Sequence, residues 1–212
     1  MNKPEKPTVF LGAKTGYFMG NAYDMAEIGC RVEIIKEKRK TISARIRNGM
    51  VIVKAPYRVT EPQIREFLVS HKRWIRIHMD QAENTAQAAQ EAGRLSMEEI
   101  RTLADQAVEE IPKRVKHYAS LMGVTYGKIT IRNQKTRWGS CSKTGNLNFN
   151  CLLMLAPPQV LDAVVVHELA HRKEMNHSPR FYREIEKVYP EYETWNRWLK
   201  ENGAILLKRM SG

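Results

Sequence analysis

The sequence predicts an α+β fold in which short β regions are set among long helices. Three observations carry this. Residues 41–53 alternate apolar and polar side chains about an Asn48-Gly49 pair, the favoured two-residue hairpin turn. Residues 96–122 carry an apolar stripe at helical spacing behind a capping box. Val164–His177 reads V-V-V-H-E-L-A-H-R-K-E-M-N-H, an apolar helix that becomes a cluster of histidines.

In chain order, residues 1–28 have no clear period and read as a loosely ordered N-terminal arm with a short edge strand at most. Arg31–Ile35, Thr41–Ile46 and Met50–Val53 read as a small antiparallel sheet built on the hairpin. Thr60–Met79 reads as a helix, with Thr60 and Gln63 as a capping box and Pro62 in the first turn. Its stripe is Ile64, Phe67, Leu68, His71, Ile75 and His78, so both histidines read as core or boundary residues. Gln81–Arg94 is rich in Ala, Gln and Glu without large apolar residues, a solvated helix or a linker. These segments divide the chain into an arm (1–28), a basic hairpin-plus-helix region (29–94) and a domain over 95–212.

In that last domain Ser96 and Glu99 cap a helix to Met122, with Pro112 expected to kink it and Gly123 to end it. Lys128–Asn133 alternates as a strand, Thr136–Ser142 is a polar loop, and Leu147–Leu155 reads as a buried strand ended by Pro157-Pro158. Helices follow over Leu161–Arg172, Pro179–Val188 and Tyr192–Glu201, the last expected to end at Gly203 before an apolar tail.

The 212 residues suffice for a sizeable core, and 42% hydrophobic with 27% charged is a globular balance. Three cysteines without a CxxC argue against a disulfide framework or zinc ribbon. No membrane span or signal peptide is read, so a cytoplasmic setting is expected. Residues 31–79 hold thirteen Lys or Arg and four acids, a net +9 of the chain's +12. That region is either a face for nucleic acid or another polyanion, or a solvated surface.

His167 and His171 are four residues apart, so on a helix both imidazoles leave one face and can bind one metal ion. Glu168 beside them is placed as general base for metal-activated water. His177, six residues on, would point about 120° away on a continuous helix. The chain must therefore turn after His171 if His177 is the third ligand. Asn176, which tolerates a left-handed conformation, and the Ser178-Pro179 helix start support that turn. A strand before this helix can offer its edge to an extended peptide, with Asn148 or Asn150 close by.

Three stretches together, T-R-W-G-S-C-S (136–142), the strand end Asn150–Pro158, and V-V-H-E-L-A-H-R-K-E-M-N-H-S-P-R-F (165–181), closely resemble the YgjP/DUF45 family of predicted metal-dependent hydrolases. That family is zincin-like and related to the WLM and SprT-like metallopeptidases. The resemblance spans roughly residues 30–205. It implies a minimal zincin-like metallopeptidase domain, one zinc per chain on His167, His171 and His177, and Glu168 as catalytic acid/base. The spacing matches the metzincin HExxHxxGxxH, but Glu174 stands where those proteins have glycine, so the turn must be made differently.

The expected chemistry is peptide hydrolysis: Glu168 deprotonates the metal-activated water, which attacks the carbonyl, and then protonates the leaving amine. Arg137, Ser140 and Tyr182 are candidates to steady the oxyanion. Trp138 is either packing beside the site or a substrate platform, and Glu174 an outlying acid. One alternative is a nucleotide pyrophosphohydrolase using Arg132, Lys135 and Arg137 on phosphates. Another is a nucleic-acid-binding module whose metal site is only structural.

Overall fold

The computed structural model describes residues 22–25 and 28–210; the expected arm lies mostly outside them. The architecture is α+β. The chain divides into two compact units, residues 1–83 and 84–212. Among the described residues no helix is long and apolar enough to cross a membrane.

The first unit contains strands β1 (Ala22–Met25), β2 (Cys30–Glu37), β3 (Ser43–Arg47) and β4 (Met50–Pro56) in the order β1-β2-β4-β3. Asn48 and Gly49 both take positive φ (50° and 69°) and close the expected β3–β4 hairpin. The sheet is mixed rather than antiparallel throughout, because β2 pairs parallel with β4. Local turn chemistry specifies only the hairpin; the β2–β4 pairing is a choice made by the shared apolar face. Val32, Val51, Val53 and Ala55 on that face pack with Ile64, Leu68 and Ile75.

The expected single helix is two, α1 (Glu61–Ser70) and α2 (Lys72–Glu91). Gln63 Oε1 accepts from the Thr60 amide at 2.9 Å. His71 and His78 are exposed, not core. Each ring folds back on its own helix, with Nδ1 2.8 Å from Phe67 O and 2.9 Å from Trp74 O. Bases such as Arg45, Arg47, Arg58, Arg73 and Arg76 are exposed, whereas Lys54 pairs with Glu37 at 2.8 Å.

In the second unit α3 (Met97–Met122) is capped by Ser96, continues through Pro112, and stops where Gly123 turns left-handed. The strands β5 (Ile129–Arg132), β6 (Gly139–Cys141) and β7 (Leu147–Asn150) form a sheet of order β5-β7-β6. Strand β6 lies inside the stretch expected to be a loop. The expected long strand over 147–155 ends at Asn150, and Cys151–Leu155 is a 3₁₀ turn. Asn150 causes the change. Its Oδ1 accepts from Leu152 N at 3.1 Å, and its Nδ2 donates to Gln134 O at 2.7 Å and Arg137 O at 2.9 Å.

Helix α4 (Pro158–Ala170) is buried on nearly all sides among Ala107, Ile111, Val115, Leu147 and Phe149. Helices α5 (Pro179–Glu186) and α6 (Tyr192–Lys208) complete the unit. Gly203 does not end α6 but lies inside it, because a β-carbon there would sit 2.9 Å from Trp138 Nε1. The glycine makes room for the indole.

Asn150→Ala is expected to lower unfolding stability by about 2–3 kcal/mol, since two backbone carbonyls lose their donor in a buried place. Urea denaturation checks this; a change under about 0.5 kcal/mol would remove Asn150 as the clamp of this loop.

Candidate metal centre and cleft

The three predicted histidines converge. One ring nitrogen from each of His167, His171 and His177 lies within 4.8 Å of the others, and Nε2 of His177 is 3.0 Å from Nε2 of His167. Helix α4 supplies the first two. The turn that brings in the third is made without any left-handed residue. Arg172 N and Lys173 N donate to Leu169 O and Ala170 O, three residues back, so the helix tightens and stops. Asn176 is not left-handed as expected; among the described non-glycine residues only Asn48 has positive φ. Lys173 then pairs with Glu184 of α5 at 2.7 Å, and Ser178 caps α5.

Phe181, fully buried on α5, holds the cluster in place. Its ring centroid is 5.0, 4.7 and 4.8 Å from those of His167, His171 and His177. The outer nitrogens of two rings are also engaged. His167 Nδ1 is 2.7 Å from Tyr192 Oη, and His171 Nδ1 is 3.3 Å from Glu174 O. A carbonyl can only accept, so His171 carries its proton on Nδ1 and presents Nε2 as a lone pair. Burial, then the neighbouring imidazoles, push the pKa of His167 down to about 3; burial lowers that of His171 too. These two rings are therefore neutral at pH 7, as metal ligation requires. The donor set fits a divalent metal of the zinc type, three imidazoles with room for a further ligand.

Glu168 is 6% exposed, and burial raises its pKa to about 8. Its carboxylate lies against β6: a β-carbon on Gly139 would be 2.7 Å from Glu168 Oε1. Any side chain at 139 would displace the acid. His167 and Glu168 line a cleft of about 280 Å³, walled by residues 136–139 before and on β6 and by α6.

The remaining candidates separate. Arg137 and Trp138 line this cleft. Tyr182 is 39% exposed, its ring 6.5 Å from that of His177. Asn150 is fully buried with its amide spent on backbone, a scaffold residue rather than a substrate contact. Ser140 Oγ accepts from Asn148 at 3.2 Å and does not line the cleft; Asn148 also accepts from Arg132. Because β7 is paired on both sides, the sheet edge beside the site is β6, not β7. Sequence reasoning missed Tyr192, whose only signal was its place at the start of a helix, and Gly139, visible only as part of T-R-W-G-S-C-S.

Two outcomes follow for the metal-free protein. A raised Glu168 contributes stability below its ordinary value of 4.5 that is lost as pH rises toward about 8. A depressed His167 contributes stability above 6.5 that is lost as pH falls toward about 3. The two slopes cancel between 4.5 and 6.5. The lowered His171 adds a further loss as pH falls below 6.5, so urea unfolding across pH should show a maximum near 6.5 with losses on both sides. Glu168→Gln should lack the alkaline loss, on the order of a few kcal/mol. Tyr192→Phe, which removes the partner of His167, should weaken zinc affinity by about 10–100-fold in a chelator competition.

The YgjP-like metallopeptidase domain model matches residues 40–103 and 99–202. Among solved structures the chain is similar to the metallopeptidase zymogen of Pyrococcus abyssi abylysin, with 26% identity over 43% of this chain and 93% of that one and a TM-score of 0.39. It is also similar to the metallopeptidase zymogen of Methanocaldococcus jannaschii jannalysin, at 22% identity over 44% and 96%, TM-score 0.40. No curated protein matches. With the family model covering most of its length, the chain belongs to the YgjP-like metallopeptidase domain family.

Proposed function

We propose that this chain is a zinc-dependent peptidase, with one zinc on His167, His171 and His177. The observation that carries the reading is the convergence of three histidine nitrogens beside a cleft that Glu168 also lines. When bound, zinc supplies Lewis acidity, drawing the pKa of water toward neutrality and polarising the scissile carbonyl.

The chain's own groups do the rest. The buried Glu168 carboxyl is reluctant to ionise in the metal-free site, and a dication beside it favours the carboxylate. In that form Glu168 takes a proton from the attacking water and returns it to the leaving amine. The main chain of an extended substrate can pair with the edge of β6 that is unpaired among the described residues, a strand that starts at Gly139 beside Glu168. Arg137 in the cleft and Tyr182 near His177 are the groups available to steady the oxyanion.

Phosphoanhydride hydrolysis is the lesser reading. Arg132 is engaged by Asn148, and among the described residues Arg137 is the one cation lining the cleft. A triphosphate needs more positive charge than that.

Wild type and Glu168→Gln should each carry about one zinc per chain and His171→Ala none. Glu168→Gln should cleave an unfolded protein at least about 10²-fold more slowly than wild type. Wild-type rates in Glu168→Gln, or release of pyrophosphate from nucleoside triphosphates without peptide cleavage, would overturn the proposal.

A further inference from the structure

The cleft beside Glu168 has more in it than the catalytic groups. Ala163 and Val164, one turn before His167 on α4, form part of its lining and are 2% and 6% exposed. Trp138 and Leu199 are further apolar lining residues. Helix α6 presents Tyr192, Asn196 and Leu199 to the cleft at helical spacing, so one face of one helix lines it. Tyr192 at its start meets His167, and Gly203 near its end accommodates the Trp138 indole. The apolar part of the cleft is thus held in register with the histidines by the same helix.

Resting on the peptidase reading, we infer that this cleft is a specificity pocket that takes one large apolar side chain of the substrate, leucine, methionine or phenylalanine, next to the scissile bond. The space suits one such side chain and is too small for a folded partner. Trp138, Ala163, Val164 and Leu199 give a charged side chain no partner, and the charged groups of the lining are Arg137 and Glu168, the latter engaged in the proposed reaction. Small residues would leave the lining uncovered, and a lost methylene in such a pocket costs about tenfold or more in selectivity.

Leu199 is the residue to change, because it lines the cleft and is only half-buried at the edge of the core. Two readouts are needed. The first is cleavage of a mixed peptide library by zinc-loaded protein. The second, independent of hydrolysis, is binding of leucine hydroxamate and phenylalanine hydroxamate against acetohydroxamate to zinc-loaded Glu168→Gln. Wild type should cut beside large apolar residues, and the two bulky hydroxamates should bind about tenfold or more tightly than acetohydroxamate. Leu199→Phe should shift cleavage toward Ala and Ser, and Leu199→Ala should shift it toward Phe and Trp. The second variant keeps the test open if the first fails to fold.

Cleavage without side-chain preference, or a preference that neither variant moves, would overturn the pocket and leave the peptidase intact. Absence of any cleavage with the hydroxamate preference retained would overturn the peptidase reading while supporting the pocket. A flat hydroxamate series would overturn the pocket whatever the cleavage result.

Discussion

Three imidazoles must meet at one point although the third lies six residues beyond the second, and the packing of Phe181 against all three rings satisfies this constraint. A helix cannot do it, since its geometry sends His177 away from the other two. The chain stops α4 with a tight turn, crosses in a few residues, and starts α5 on the Ser178 cap so that Phe181 falls between the rings. Removal of water from this aromatic cluster also keeps His167 and His171 neutral and able to donate lone pairs.

The same burial acts in the opposite sense on Glu168. An acid with little water around it resists charge, so the bare site holds neutral histidines beside a reluctant carboxyl. A cation held by the three lone pairs would favour the charged form of that carboxyl. Gly139 belongs to this economy of space: without a side chain, β6 lies close enough that the acid is shielded on that side. The Arg172 guanidinium ties the end of α4 to the 142–146 turn after β6, donating to Lys143 O at 3.3 Å, and its Nε donates to Thr125 O ahead of β5 at 2.9 Å.

Helix α6 ties the parts together from outside the motif. Tyr192 orients His167, Leu199 walls the cleft, and Gly203 seats Trp138. A residue at each of these places matters through distance and shape rather than through reactive chemistry. None of them stands near the histidines in the chain.

The sequence by itself determined whatever depends on local periodicity and on residues close in the chain. The Asn48-Gly49 hairpin, the Ser96–Glu99 cap, the course of α3, and the pairing of His167 with His171 about Glu168 are of this kind. Turn dihedrals, caps and helical spacing act over a few residues and so leave a readable trace. Only the tertiary structure decided what depends on competition between distant groups. The parallel β2–β4 pairing follows from a shared apolar face, and the appearance of β6 inside an apparent loop and the end of β7 at Asn150 arise because remote backbone groups needed partners. His71 and His78 kept the helical spacing yet turned to solvent, because their own helix carbonyls served them. Tyr192, Gly139 and Gly203 gain their meaning from one atom of a remote residue, and a contact between residues far apart in the chain has no period to betray it.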